Sequence, residues 1–302
     1  MAAWMLSPAT ALFQSCPVHI WRPMKGALIP PLSVLGLLLG TGCGTVASVT
    51  RPATRAVGEF VLGPEEARQL GDQLSAEVRR QEKVLEDPLV QSYVDRLGQR
   101  LVAQAPREER PYPFQFTVID APETVNAFAL PGGHIFVYSG LLRAADSEAE
   151  LASVLAHEVA HVTSGHARQQ LASQVGLSTL QQLLFGNDPG LLAQVGSAIA
   201  AQGYLAAYTR GMEREADKRG LQFLDSAGYD PAAMARFFEK LARMQGSSPN
   251  FVSAFFATHP EPQARASEVR SLIQSRGYGG GQQTLLGNEL QRIQARVGGP
   301  VR

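Results

Sequence analysis

Residues 151 to 170 read LASVLAHEVAHVTSGHARQQ, and His157, Glu158 and His161 within them spell HExxH. On a helix, residues four apart lie on one face, offset by about 40°. His157 and His161 therefore aim two ring nitrogens at one tetrahedral zinc, at about 2.0–2.1 Å. Glu158 is turned about 100° from His157, beside the metal rather than on it. It is placed to take a proton from water at the metal, the general-base arrangement of metalloproteases. Leu151, Val154, Leu155 and Val162 surround the motif and predict a buried amphipathic helix. A buried His-Glu-His cluster without a partner is costly. The alternative, a solvated helix carrying an i, i+4 histidine pair, does not account for that apolar surround.

A zinc site needs a further protein ligand. His166 is near in sequence. On a continuing helix it lies about 140° round from His161 and faces away. A chain break at Ser164-Gly165 would bring it back, as metzincins do with HExxHxxGxxH. That pattern fails here at Ser164 and Ala167, so His166 reads as a polar or outer-layer histidine. The better candidate lies in TRGMEREADKRG, residues 209 to 220, where Glu213 and Asp217 share a helix face. Glu213 as ligand leaves Asp217 to accept the free N–H of a ligating histidine and fix its tautomer. Taken alone, those acids read as a solvated face among Arg210, Arg214, Lys218 and Arg219. The upstream HExxH reverses that reading.

Residues 24 to 43 read MKGALIPPLSVLGLLLGTGC. The apolar run is too short, and too broken by Pro30 and Pro31, for a bilayer span of about 20 residues. It suits a secretory signal starting at Met24, with small residues before Cys43 as in a bacterial lipoprotein. Gly40 stands where such signals usually carry leucine. Cys16 and Cys43 are the only cysteines, so no disulfide framework is expected. Lys+Arg equals Asp+Glu, which offers no basic surface for nucleic acid.

The remaining pattern predicts an α+β chain that is mainly helical, with a small sheet before the motif helix. We expect residues 1–43 as signal, 44–62 as linker, 63–275 as one catalytic domain and 276–302 as a loose tail with a short helix near 285 to 296. Helices are expected over 64–86 and from Pro88 onward. FQFTVID (114–120) alternates as a strand, and NAFAL (126–130) and HIFVYSG (134–140) flank a Pro-Gly-Gly turn. Asp146 or Ser147 is placed to cap the motif helix. Further helices are expected near 168–185, 190–209, 212–227, 231–245 and 261–275.

NAFALPGGHIFVYSGLL, HEVAHVTSGHA, TRGMEREADKRG, GYDPAAMARFFEKLA and THPEPQAR occur in this order. Together they resemble the CAAX-prenyl-protease/HtpX-like zinc metalloendopeptidases, over roughly residues 60 to 275. The resemblance implies a zincin-like (gluzincin) domain holding one Zn²⁺ per chain. It implies ligands His157, His161 and Glu213, base Glu158 and orienting Asp217. It also implies that His259 approaches the metal, either stabilising the transition state or capping the zinc. Arg210 is a further candidate for the oxyanion. HIFVYSG resembles the substrate-binding edge strand, where an extended peptide adds by backbone pairing.

Membrane-embedded relatives carry spans around the motif. Here LLAQVGSAIAAQGYLAAY (191–208) is broken by Gln194, Gln202 and small residues and reads as a buried helix. The chain thus resembles the exported lipoprotein branch, periplasmic and tethered to the outer membrane through Cys43. The expected activity is cleavage of unfolded or misassembled envelope proteins. The alternative is a chaperone-like outer-membrane assembly factor whose zinc site is mostly closed.

Overall fold

A computed structural model describes residues 62–186, 188–202, 207–278 and 289–301. The expected signal, Cys43 and the linker as far as residue 61 lie outside the described residues. Two helices open the fold, α1 (Pro64–Gln81) and α2 (Pro88–Val102). Each starts with proline at its first turn, where no N–H is missed. Asp87 caps α2 by accepting from the N–H groups of Leu89 and Val90.

The sheet follows: β1 (Gln115–Ile119), β2 (Ala127–Ala129) and β3 (His134–Tyr138). Its order is β1-β3-β2, with β1 parallel and β2 antiparallel to β3. Alternating residues feed two cores. Ile135, Val137, Ala127, Ala129, Phe116 and Val118 join the larger cluster. Phe136, Tyr138, Phe128 and Ile119 join the smaller one. Phe128 and Phe136 are paired in register and stacked at 5.1 Å.

HIFVY is therefore the central strand, not an edge. All five of its residues are buried, as a continuous apolar run requires of a strand paired on both sides. The edges are β1 and β2. Backbone and side chains together close the outer edge of β1: the Leu85 N–H donates to the Val118 carbonyl at 2.9 Å, and Gln91 donates to the Phe116 carbonyl and accepts from the Val118 N–H, at 2.6 and 3.1 Å. Gln99 donates to the Phe114 carbonyl at 2.9 Å. β2 packs against the motif helix.

Ten further helices complete the described chain. They are α3 (Ser139–Ala144), α4 (Glu148–Thr163), α5 (His166–Val175), α6 (Leu177–Phe185), α7 (Pro189–Gln202), α8 (Arg210–Ser226), α9 (Ala232–Ser247), α10 (Pro249–Thr258), α11 (Pro262–Arg276) and α12 (Glu289–Arg296). The larger cluster joins α2, α4, α8, α9, α10 and α11 on one face of the sheet. The smaller joins α1, α5, α6 and α7 on the other. No described helix is long and apolar enough to cross a membrane.

Three expectations differ. The helix expected over 168–185 is parted at Gly176 into α5 and α6. α10 falls where no helix is expected, because Ser-Ser-Pro-Asn opens the segment and its uncharged residues give no polar contrast. The described end of the tail, residues 289–301, is anchored rather than loose. Leu290, Ile293 and Val297 are buried in the larger cluster, and Gln294 donates to the carbonyls of Leu142 and Ala145.

Candidate active site

The motif helix α4 is fixed at its N-terminus by several partners. Ser147 is the cap, and its hydroxyl accepts from the Glu150 N–H. The Glu148 carboxylate accepts from the hydroxyls of Tyr93 and Tyr229. At the other end Gly165 takes φ 73°, a left-handed conformation that suits glycine and ends the helix. The chain turns there into α5, whose first residue is His166. On α8 the buried stripe Glu213, Ala216, Asp217, Gly220 and Leu224 repeats at helical spacing and packs along α4. The two acids thus sit on the inward stripe.

This packing brings four side chains to one point. His157, His161, Glu213 and His259 each present a donor atom, all within 4.8 Å of one another. The Nε2 atoms of His157 and His161 are 3.0 Å apart. Glu213 places its carboxylate oxygens 3.4 Å from His161 Nε2 and 3.6 Å from His157 Nε2. His259 Nδ1 lies 3.1 Å from Glu213 Oε1 and 3.3 Å from His157 Nε2. All four residues are buried. Imidazole nitrogens and a carboxylate at this spacing form a donor set that suits a metal ion.

The far nitrogens of the first two rings are also engaged. His157 Nδ1 is 3.0 Å from Asp217 Oδ1. His161 Nδ1 is 3.1 Å from His166 Nδ1. His166 therefore does not face away, because the helix breaks at Gly165 and returns the ring to the back of His161. The Glu158 carboxylate is fully buried and accepts no hydrogen bond among the described residues, with Oε1 3.3 Å from His259 Nε2. An orphaned buried carboxylate beside four convergent donors is the arrangement a metal-assisted general base needs.

Arg265 on α11 closes the back of the site. Its Nη1 is 2.5 Å from Glu213 Oε2. Nη2 and Nε donate to the two Asp217 oxygens at 2.6 and 2.9 Å. Burial alone raises both acids, but Arg265, aided by His259 at Glu213 and by His157 at Asp217, outweighs it and holds both below the usual carboxylate range. Burial drives His161 well below its ordinary value. Burial opposes the charged form of His259 too, yet the Glu213 and Glu158 carboxylates win and raise it to about 9 in the metal-free chain.

Arg265 was missing from the sequence reading. The signal was present: Pro262, Arg265, Ala266 and Val269 form the buried stripe of α11. A charge at a core position demands a buried partner. Tyr208 was also missed; its ring stacks on His161 at 3.7 Å. Arg210, a candidate for the oxyanion, pairs instead with Glu261 at the surface, because it lies on the outer face of the first turn of α8.

A helix bearing HExxH, a glutamate delivered by a second helix and a small sheet beside them define a zincin-like metallopeptidase domain. A family model described as peptidase family M48 matches residues 88–273, and the chain belongs to that family. Relatives include the beta-barrel assembly-enhancing protease of Escherichia coli strain K12, 34% identical over 83% of this chain and 53% of its own length. The mitochondrial metalloendopeptidase OMA1 of Schizosaccharomyces pombe is 33% identical over 60% of this chain and 52% of its own. The metalloprotease LoiP of Escherichia coli is 29% identical over 83% of this chain and 98% of its own. The chain thus spans about half the length of the first two and nearly all of the third.

Proposed function

We propose that the chain is a zinc metalloendopeptidase of the cell envelope, lipid-anchored at Cys43 to the outer membrane, that cleaves misassembled envelope proteins. The observation that carries it is the convergence of His157, His161 and Glu213 beside the buried carboxylate of Glu158. Two imidazoles and one carboxylate are a donor set of catalytic zinc. When bound, zinc supplies Lewis-acid chemistry, activating water and polarising the scissile carbonyl. Glu158 accepts the proton of the attacking water and passes it to the leaving amine. Asp217 fixes the His157 tautomer through Nδ1. The names of the relatives support proteolysis linked to β-barrel assembly.

Glu158→Gln tests the mechanism. The variant should bind zinc as the wild type does and lose casein cleavage. Normal cleavage by the variant refutes the assignment of the base.

One observation favours the second reading, an assembly factor with a mostly closed site. His259 brings a fourth protein donor, whereas catalytic zinc keeps one position open. α10, which leads into it, takes the Val125 N–H at the entry to β2 on the Phe251 carbonyl, at 2.8 Å. Complementation separates the two. If Glu158→Gln restores an envelope-defective strain as fully as wild type, binding is the function.

A further inference from the structure

Between Arg168 and Arg210 the chain carries a single charged residue, Asp188. The α6–α7 pair occupies much of this stretch. Its inner side, with Leu180, Leu183, Val195 and Ile199, belongs to the smaller core cluster. Its outer side is uncharged and carries two exposed large apolar residues. Leu177, Gln181 and Phe185 follow one another at four-residue spacing along the exposed face of α6. Leu177 is 50% exposed and Phe185 80%. Only one other large apolar residue among the described residues, Leu89, is comparably exposed. Phe185 ends α6, so its ring stands where the pair turns. The lone acid there is engaged, with Asp188 Oδ1 accepting from the Leu191 N–H at the start of α7.

The point where the described chain begins bears on what meets this face. The described chain begins at Leu62, which is buried in the same cluster. The Leu62 carbonyl accepts from Arg168 on α5 at 3.1 Å. Upstream lie Cys43 and the apolar residues 33 to 39. The described chain thus enters the fold beside α5.

We propose that the α6–α7 pair is a membrane-contacting face, with Phe185 and Leu177 entering the interfacial layer of a phospholipid bilayer. This rests on the reading of Cys43 as a lipid anchor. A protruding ring on a nearly uncharged face suits a fluid apolar surface. A specific protein partner is usually fixed in register by complementary charge, and the outer face of α6 offers glutamine and serine. α6 has 9 residues and α7 has 14, both short of the roughly 20 a span requires. The pair therefore lies on the bilayer.

The test uses the processed chain, beginning at residue 43 with Cys43→Ser, which carries no tryptophan, so that neither other indoles, nor the apolar signal, nor a lipid contribute. Phe185→Trp and Leu89→Trp are each mixed with phosphatidylethanolamine/phosphatidylglycerol vesicles carrying brominated acyl chains. The indole at 185 should shift to the blue and be quenched, and the indole at 89 should not. In the Cys43→Ser chain, Phe185→Glu should lower vesicle partitioning by at least about tenfold, with casein cleavage unchanged. Absence of quenching at 185 overturns the proposal. So does a blue shift that needs no vesicles and grows with protein concentration, which marks self-association. If the wild-type chain floats with vesicles while 185 stays unquenched, the anchor reading stands and the membrane face falls.

Discussion

Arg265→Met removes the guanidinium that pairs with both buried acids of the site. Arg265 is 4% exposed, and its guanidinium lies 2.5 Å from Glu213 and 2.6 Å from Asp217. Methionine keeps much of the length and apolar contact but no charge. Deleting one member of a buried ion pair costs about 3–5 kcal/mol, because the other charge stays desolvated. Loss of the cation–π contact with Phe238, at 4.2 Å, falls within that range. In a domain of this size 1 kcal/mol moves the midpoint by roughly 2–4 °C. The expected loss is therefore about 6–20 °C, read by circular dichroism in chelator at neutral pH. Both carboxylates ionise below their usual range in the wild type and contribute stability that is lost as pH falls. The variant's acids take up protons at higher pH, so the gap between the two proteins should narrow in acid. Added zinc should restore more of the midpoint to the variant than it adds to wild type, since the metal also compensates Glu213. Arg265→Lys, which keeps charge but not the two-pronged geometry, should fall between them. A variant within about 1 kcal/mol of wild type in chelator refutes the view that Arg265 holds these acids ionised.

The remaining expectations follow from separate parts of the fold. His259→Ala should speed casein cleavage severalfold if its ring closes the site; slower cleavage would place the imidazole in the reaction. Gly71→Ala should cost about 1–3 kcal/mol in urea unfolding, because its Cβ would sit 2.0 Å from the Pro131 carbonyl oxygen. Ser147→Ala should cost about 1 kcal/mol by loss of the cap on the motif helix, again read by urea. Burial holds His134 below its ordinary value despite Asp72 beside it. As pH falls through about 6.5 the unfolded chain takes a proton that the folded chain resists, so stability falls with pH. His134→Gln should flatten that slope between pH 7.5 and 5.5; an unchanged slope would reject the assignment.

The sequence revealed the elements that carry strong period or strong punctuation. Proline-led α1 and α2, the alternating β1 and the apolar frame of HExxH were all readable locally. So was the facing of Glu213 and Asp217, since both belong to a stripe of spacing three and four. Three-dimensional pairing was not. HIFVY looks the same whether one partner strand lies beside it or two, and only the parallel docking of β1 makes it central. His166 depended on one backbone conformation at Gly165, which decided whether the ring faced away or met His161. Arg265 lay in a segment already singled out, THPEPQAR, but its role depends on α8 and α11 meeting.

The glutamine that closes β1 bears on how this fold meets other chains. Exposed sheet edges recruit unpaired strands without selection. Gln91 already satisfies the Phe116 carbonyl and the Val118 N–H, as a neighbouring strand would. An incoming strand is therefore turned away at the outer side of β1. Gln91, with the backbone of residues 83 to 85 beside it, thus caps this side of the sheet against strand addition.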